Sequence, residues 1–147
     1  MASQLQTIQV SGAGVDLSPR FSANNTVVAS PATAAETVVA TIPAIQSAVV
    51  TGSGVLLIAQ IAYKVGTSGA SAQYRIRQGT TAGAGTVVFD SGVCTAATSA
   101  TNLVIENMIG FDTSPTLPGQ AYCMTLTVGS ASAASTVSAA SMAAIIV

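Results

Sequence analysis

The sequence predicts an all-β protein, an antiparallel two-sheet sandwich carrying an extended N-terminal arm. Two observations carry this prediction. From residue 35 onward, apolar side chains recur with a period near 2 in seven successive segments, each bounded by Gly, Pro, Asn or Ser. Val, Ile and Thr are plentiful, while the helix-favouring Glu, Lys, Arg and Leu are scarce. At 147 residues the chain is expected to form one domain with a sizeable core.

The elements follow in order. Residues 1–34 read as an arm with one or two short strands. "QLQTIQV" (4–10) alternates, and the stretch that follows is rich in turn-forming Gly, Pro, Asn and Ser. Residues 35–147 read as the sandwich domain. "AETVVATIPA" (35–44) is a strand ended by Pro43, and "GVLLIAQIAYKV" (54–65) is a long central strand. "ASAQYRIRQG" (70–79) sets Tyr74 and Ile76 against Arg75 and Arg77. The Gly-rich "GTTAGAG" (79–85) reads as a hairpin connection to "GTVVFDSG" (85–92). "ATNLVIENMIGF" (100–111) sets Leu103, Ile105 and Ile109 against Val104, Glu106 and Met108. "GQAYCMTLTVG" (119–129) sets Tyr122, Met124, Leu126 and Val128 against Ala121, Cys123, Thr125 and Thr127. "STVSAASMAAIIV" (135–147) is the last strand. With the arm, the count reaches eight or nine strands, which fits a sandwich of jelly-roll type. An immunoglobulin-like sandwich is the alternative, but the chain has no Trp and its two cysteines are close together in sequence.

Composition narrows the function. Charged residues make up 6% of the chain, against roughly 25% in ordinary soluble proteins. The net charge is −1, and Arg20, Lys64, Arg75 and Arg77 are too few for a phosphate-tracking stripe, so no nucleic-acid partner is expected. No apolar run reaches the roughly 18–20 residues of a spanning helix, so no membrane partner is expected either. "MASQLQTIQV" lacks the pattern of a signal peptide, which implies synthesis in a cytoplasm. Cys94 and Cys123 read as free thiols, with a bridge open if their strands are neighbours.

The chain has no His, which removes the Ser-His-Asp and Cys-His arrangements and the commonest metal ligand. Its carboxylates are scattered. Asp90 and Asp112 sit where Asp caps turns, while Glu36 and Glu106 are placed to pair with Arg75, Arg77 or Lys64. "GTTAGAG" lacks the Lys-Ser/Thr of a phosphate loop. No catalytic, cofactor or metal site is therefore expected, and the chain reads as a non-enzyme.

The strands themselves are the informative feature. In residues 54–65, Val55, Leu57, Ala59, Ile61, Tyr63 and Val65 can fill a core, which leaves Leu56, Ile58 and Ala62 outward beside Gln60 and Lys64. The last strand is apolar on both sides as well. Large apolar patches mark interfaces, so the expected form is a homo-oligomer, a trimer being the natural closed arrangement. Leu56, Ile58, Met142 and Ile146 are the candidate interface residues. Arg75, Arg77 and Glu106 are the candidate polar contacts.

Three segments together carry a resemblance: "AETVVATIPAI" (35–45), "AQYRIRQGTTAGAGTVVFDSG" (72–92), and "FDTSPTLPGQAYCMTLTV" (111–128) leading into the final strand. Their order resembles the small jelly-roll domains of tailed-bacteriophage virion proteins, both head decoration proteins and tail-fibre ends, which are similar in architecture to tumour-necrosis-factor/C1q-like trimers. The resemblance covers residues 35–147 and rests on strand order and turns. It implies a trimeric virion structural protein, with the final strand near the threefold axis and the capsid surface as its location. Fibre members carry long shafts, which this sequence lacks. That favours a capsid decoration (cement) protein whose second partner is the major capsid protein lattice. A receptor-binding fibre tip is the alternative, and a surface-layer or filament subunit is a non-viral one.

Overall fold

The computed structural model describes residues 20–22, 35–45, 54–64, 70–95, 103–129 and 136–147. Among them, nine strands form and no helix does: β1 (Arg20–Ser22), β2 (Thr37–Ile42), β3 (Val55–Lys64), β4 (Ser71–Gln78), β5 (Val87–Asp90), β6 (Cys94–Thr95), β7 (Val104–Asp112), β8 (Tyr122–Val128) and β9 (Thr136–Ile146). The seven segments of alternating apolar residues correspond to β2, β3, β4, β5, β7, β8 and β9. Of the arm, β1 is described; the strand expected at residues 4–10 lies outside the described residues.

Two antiparallel sheets form. Sheet A has the order β1-β9-β3-β7 and sheet B the order β2-β8-β4-β5, with β6 also paired to β4. The pairs are nested: β1 with β9, β2 with β8, β3 with β7, and β4 with β5 and β6. Except along β4, β5 and β6, each strand lies in the opposite sheet from the one before it. The innermost pair is the hairpin expected from "GTTAGAG". Gly85 there holds φ +74, and a Cβ would collide with the Gln78 carbonyl, so this turn requires glycine.

One core fills the space between the sheets. Val55, Leu57, Ala59, Ile61 and Tyr63 of β3 meet Ile76 of β4 and Tyr122, Met124, Leu126 and Val128 of β8 in a single buried cluster. Each set is every second residue of its strand, as the pleat dictates. Beside this core, Gly110 of β7 lets β5 approach closely. A Cβ there would stand 3.2 Å from Val88 Cγ1 and 3.3 Å from the Cβ of Phe89, whose ring stacks on Tyr74.

Candidate functional site

The outer faces of the two sheets differ in chemistry. On sheet B the outward positions are closed by ion pairs. Arg77 donates from Nε to Glu36 Oε1 at 2.6 Å and from Nη2 to Glu36 Oε2 at 2.9 Å. Thr125 Oγ1 donates to the same carboxylate. Arg75 donates from Nε to Asp90 Oδ2 at 2.8 Å, and Gln73 donates to Asp90 Oδ1 at 2.8 Å. Arg77 beside Glu36 holds that carboxyl below its ordinary range. Arg75 and Gln73 draw the pKa of Asp90 down to about 2. Beneath this layer Cys123 and Thr125 are buried although they face away from the core.

Arg75 and Arg77 therefore spend their charge within the chain, on Glu36 and Asp90. Glu106, expected beside them, instead stands next to the Tyr74 phenol, whose pKa it helps burial to raise. It shares the inward parity of Met108 on β7 and cannot reach the outer face of sheet B. Asp90 and Asp112 do cap turns, accepting from the backbone N–H of Gly92 and Ser114 respectively. Asp112 goes further: its buried carboxylate also accepts from Gln78 Nε2 at 2.7 Å and Tyr122 Oη at 2.9 Å, tying β4, β7 and β8 together at one end of the core. Both cysteines are free, Cys94 half-buried and Cys123 buried.

Sheet A presents the opposite surface. The register of β3 with β9 and β7 sets its outward residues in rows across three strands. Ile145, Leu56 and Phe111 form one row, and Ala143, Ile58 and Ile109 the next. Ser141, Gln60 and Asn107 make a polar row, and Ala139, Ala62 and Ile105 restore the apolar character beyond it. Ile109 is 67% exposed, Ile105 56% and Phe111 50%. The Phe111 ring lies directly over Gly54, in the space a Cβ would take. Lys64 is the only charged side chain that β3, β7 and β9 turn outward, and it lies at the margin.

Leu56 and Ile58 thus stand on the outer face, as expected from the sequence. Met142 and Ile146 do not. They are 3% and 7% exposed and point into the core, opposite the inward Ala59 and Val55. β9 is apolar on both faces, so alternation alone could not orient it. Pairing with β3 decides the matter and turns Ala143 and Ile145 outward. The largest contributors, Ile105, Ile109 and Phe111, come from β7. The sequence had shown the two Ile residues sharing a face, but not that this face is the outer one.

Among the described residues, no three His, Cys, Asp or Glu side chains gather as a metal site would require. No family model, curated protein or solved structure matches the chain.

Proposed function

We propose that this chain is a jelly-roll virion structural protein: a homotrimer that decorates a bacteriophage capsid, binding the major capsid protein lattice and reinforcing the shell. The observation that carries the proposal is the apolar outer face of sheet A. Three strands at ~4.8 Å spacing and ten residues at ~3.3 Å rise give a footprint of roughly 450–500 Å², within the range of the largest apolar patches on monomers and of the kind that marks contact sites. Each Å² of its apolar rows removed from water contributes ~25 cal/mol, a gain that works against the cost of ordering the copies.

The nested strand pairing supports the jelly-roll reading, because a long antiparallel hairpin folded over into two sheets pairs its strands in this way. The internally neutralised face of sheet B supports a structural role, since its charges are occupied within the subunit. A shell protein present in many copies gains affinity from many such contacts acting together.

The test joins light scattering with co-sedimentation. The purified chain at micromolar concentration is expected to be trimeric and to pellet with capsids of the phage that encodes it. A monomer that stays in the supernatant overturns the proposal. Adsorption to host cells without capsid binding would instead assign it to a fibre tip.

A further inference from the structure

The polar row that crosses the apolar face of sheet A is out of keeping with its surroundings. Gln60 Nε2 donates to Asn107 Oδ1 at 2.9 Å, and Ser141 completes the row on the far side of Gln60. Apolar rows flank it on both sides: Ile58 and Ile109 toward one end, Ala62 and Ile105 toward the other. The single bond between Gln60 and Asn107 leaves much of their capacity unused. A primary amide carries two N–H donors and a two-lone-pair carbonyl. Among the described residues the Asn107 amide hydrogens and the Gln60 carbonyl have no further partner, and they stand side by side at the centre of the patch.

We infer that this Gln60–Asn107 pair sets the register between copies: where copies meet through this face, the Asn107 amide of each donates to the Gln60 carbonyl of the next. The inference rests on the reading that sheet A is a contact between copies and names what makes that contact specific. Further copies of this chain are the occupants because the face is complementary to itself head to tail: the Asn107 donor of each copy meets the Gln60 acceptor of the next, a contact that closes into a ring of three. It offers donor and acceptor in equal measure, and it carries no charge at its centre to attract a charged partner or to repel its own kind. The apolar rows supply attraction without direction, so the flat surface alone would tolerate sliding by one row. A polar row buried out of register loses its hydrogen bonds, and an unpaired buried amide is costly. A buried polar group that fixes register and subunit number at some expense of stability is a well-attested device.

Native mass spectrometry and sedimentation of the full chain test the inference. Ile109→Asp removes apolar contact and tests the face alone; it is expected to give monomers. Gln60→Leu combined with Asn107→Leu is expected to remain associated but to distribute over several stoichiometries. The exchange Gln60→Asn with Asn107→Gln restores both amides and is expected to recover one species. Gln60→Glu, nearly isosteric at an exposed position, buries an uncompensated carboxylate from each copy within the apolar contact. It is expected to weaken association at least tenfold at neutral pH and to recover it in acid, where the carboxyls are protonated. A single wild-type stoichiometry in the double Leu variant, or undiminished assembly of Gln60→Glu at neutral pH, overturns the register role while leaving the contact face standing. Undiminished assembly of Ile109→Asp overturns the contact face and the register role together.

Discussion

Replacing Glu36 by Gln isolates the ion-pair layer on sheet B. Glu36 immediately precedes β2, an edge strand, and its carboxylate receives Arg77 through two parallel bonds of 2.6 and 2.9 Å. Both side chains are only 12% exposed, so water compensates little for their loss. Charge-assisted hydrogen bonds are worth ~1.5–3 kcal/mol each, and cutting a fully buried pair costs ~3–5. Gln keeps one carbonyl acceptor but turns an NH₂ group toward the guanidinium, which puts the expected loss at about 2–3 kcal/mol. At ~2–4 °C per kcal/mol for a domain of this size, the midpoint falls by about 5–10 °C near pH 7.

The pH dependence has a definite sign. The Glu36 carboxyl is held below its ordinary value of 4.5 when folded. Its contribution is therefore complete above the unfolded value and drains away as pH falls through the lower folded one. Asp90, drawn to about 2 from 3.8, acts in the same sense. It is 38% exposed and screened, however, and being present in both proteins it cancels from their difference. Thermal melts by circular dichroism, at fixed protein concentration, should show a wide gap between wild type and Glu36→Gln near pH 7 that narrows steadily from about pH 5 to pH 2. A gap under about 1 °C at neutrality, or one that does not change with pH, would refute the reasoning.

Three further outcomes follow from the core. All three tyrosines resist ionisation: burial pushes Tyr63 up to about 12, and burial with nearby carboxylates raises Tyr74 and Tyr122 still more. Absorbance titration should show no native phenolate near pH 10, and stability should decline as pH rises beyond the unfolded tyrosine value of ~10, because the unfolded chain ionises first. Towards a thiol reagent, Cys94 should react readily, whereas the buried Cys123, its thiol pushed up by burial, should wait for unfolding; two equally fast thiols would contradict the packing beneath Arg77. Leu57→Ala, at a fully buried position, should cost ~2–5 kcal/mol in a denaturant titration.

Much of this fold was legible because a strand announces itself by period, and seven of the nine strands did. β6 escaped because two residues carry no period, and its Cys94 and Thr95 have no pattern apart from their pairing with β4. β1, three residues long, could be placed no more finely than within the arm. In β4, facing was clear from sequence, because Arg75 and Arg77 cannot share the core with Tyr74 and Ile76. It was not clear in β7 and β9, where Ile109 and Met108, or Ile145 and Ile146, are equally apolar neighbours. Only the cross-strand register separates such pairs, so Met142 and Ile146 looked like surface residues. The polar centre of the patch was hidden for the same reason: Gln60, Asn107 and Ser141 come from three distant segments and meet only through pairing.

Nesting also dictates when the fold can be completed. The hairpin of β4 and β5 joins neighbours in sequence, such as Arg77 and Val87, and costs little loop entropy to close. β9 is the last of the nine strands in chain order, yet it lies between β1 and β3, bringing Arg20 beside Ala144. High contact order of this kind slows folding by orders of magnitude relative to helical proteins. Until β9 arrives, the backbone of β3 lacks one of its two neighbours, an open template for pairing with other chains. Sheet A therefore cannot close until β9 has been made, and in the interval before it arrives the open edge of β3 is most exposed to pairing with other chains.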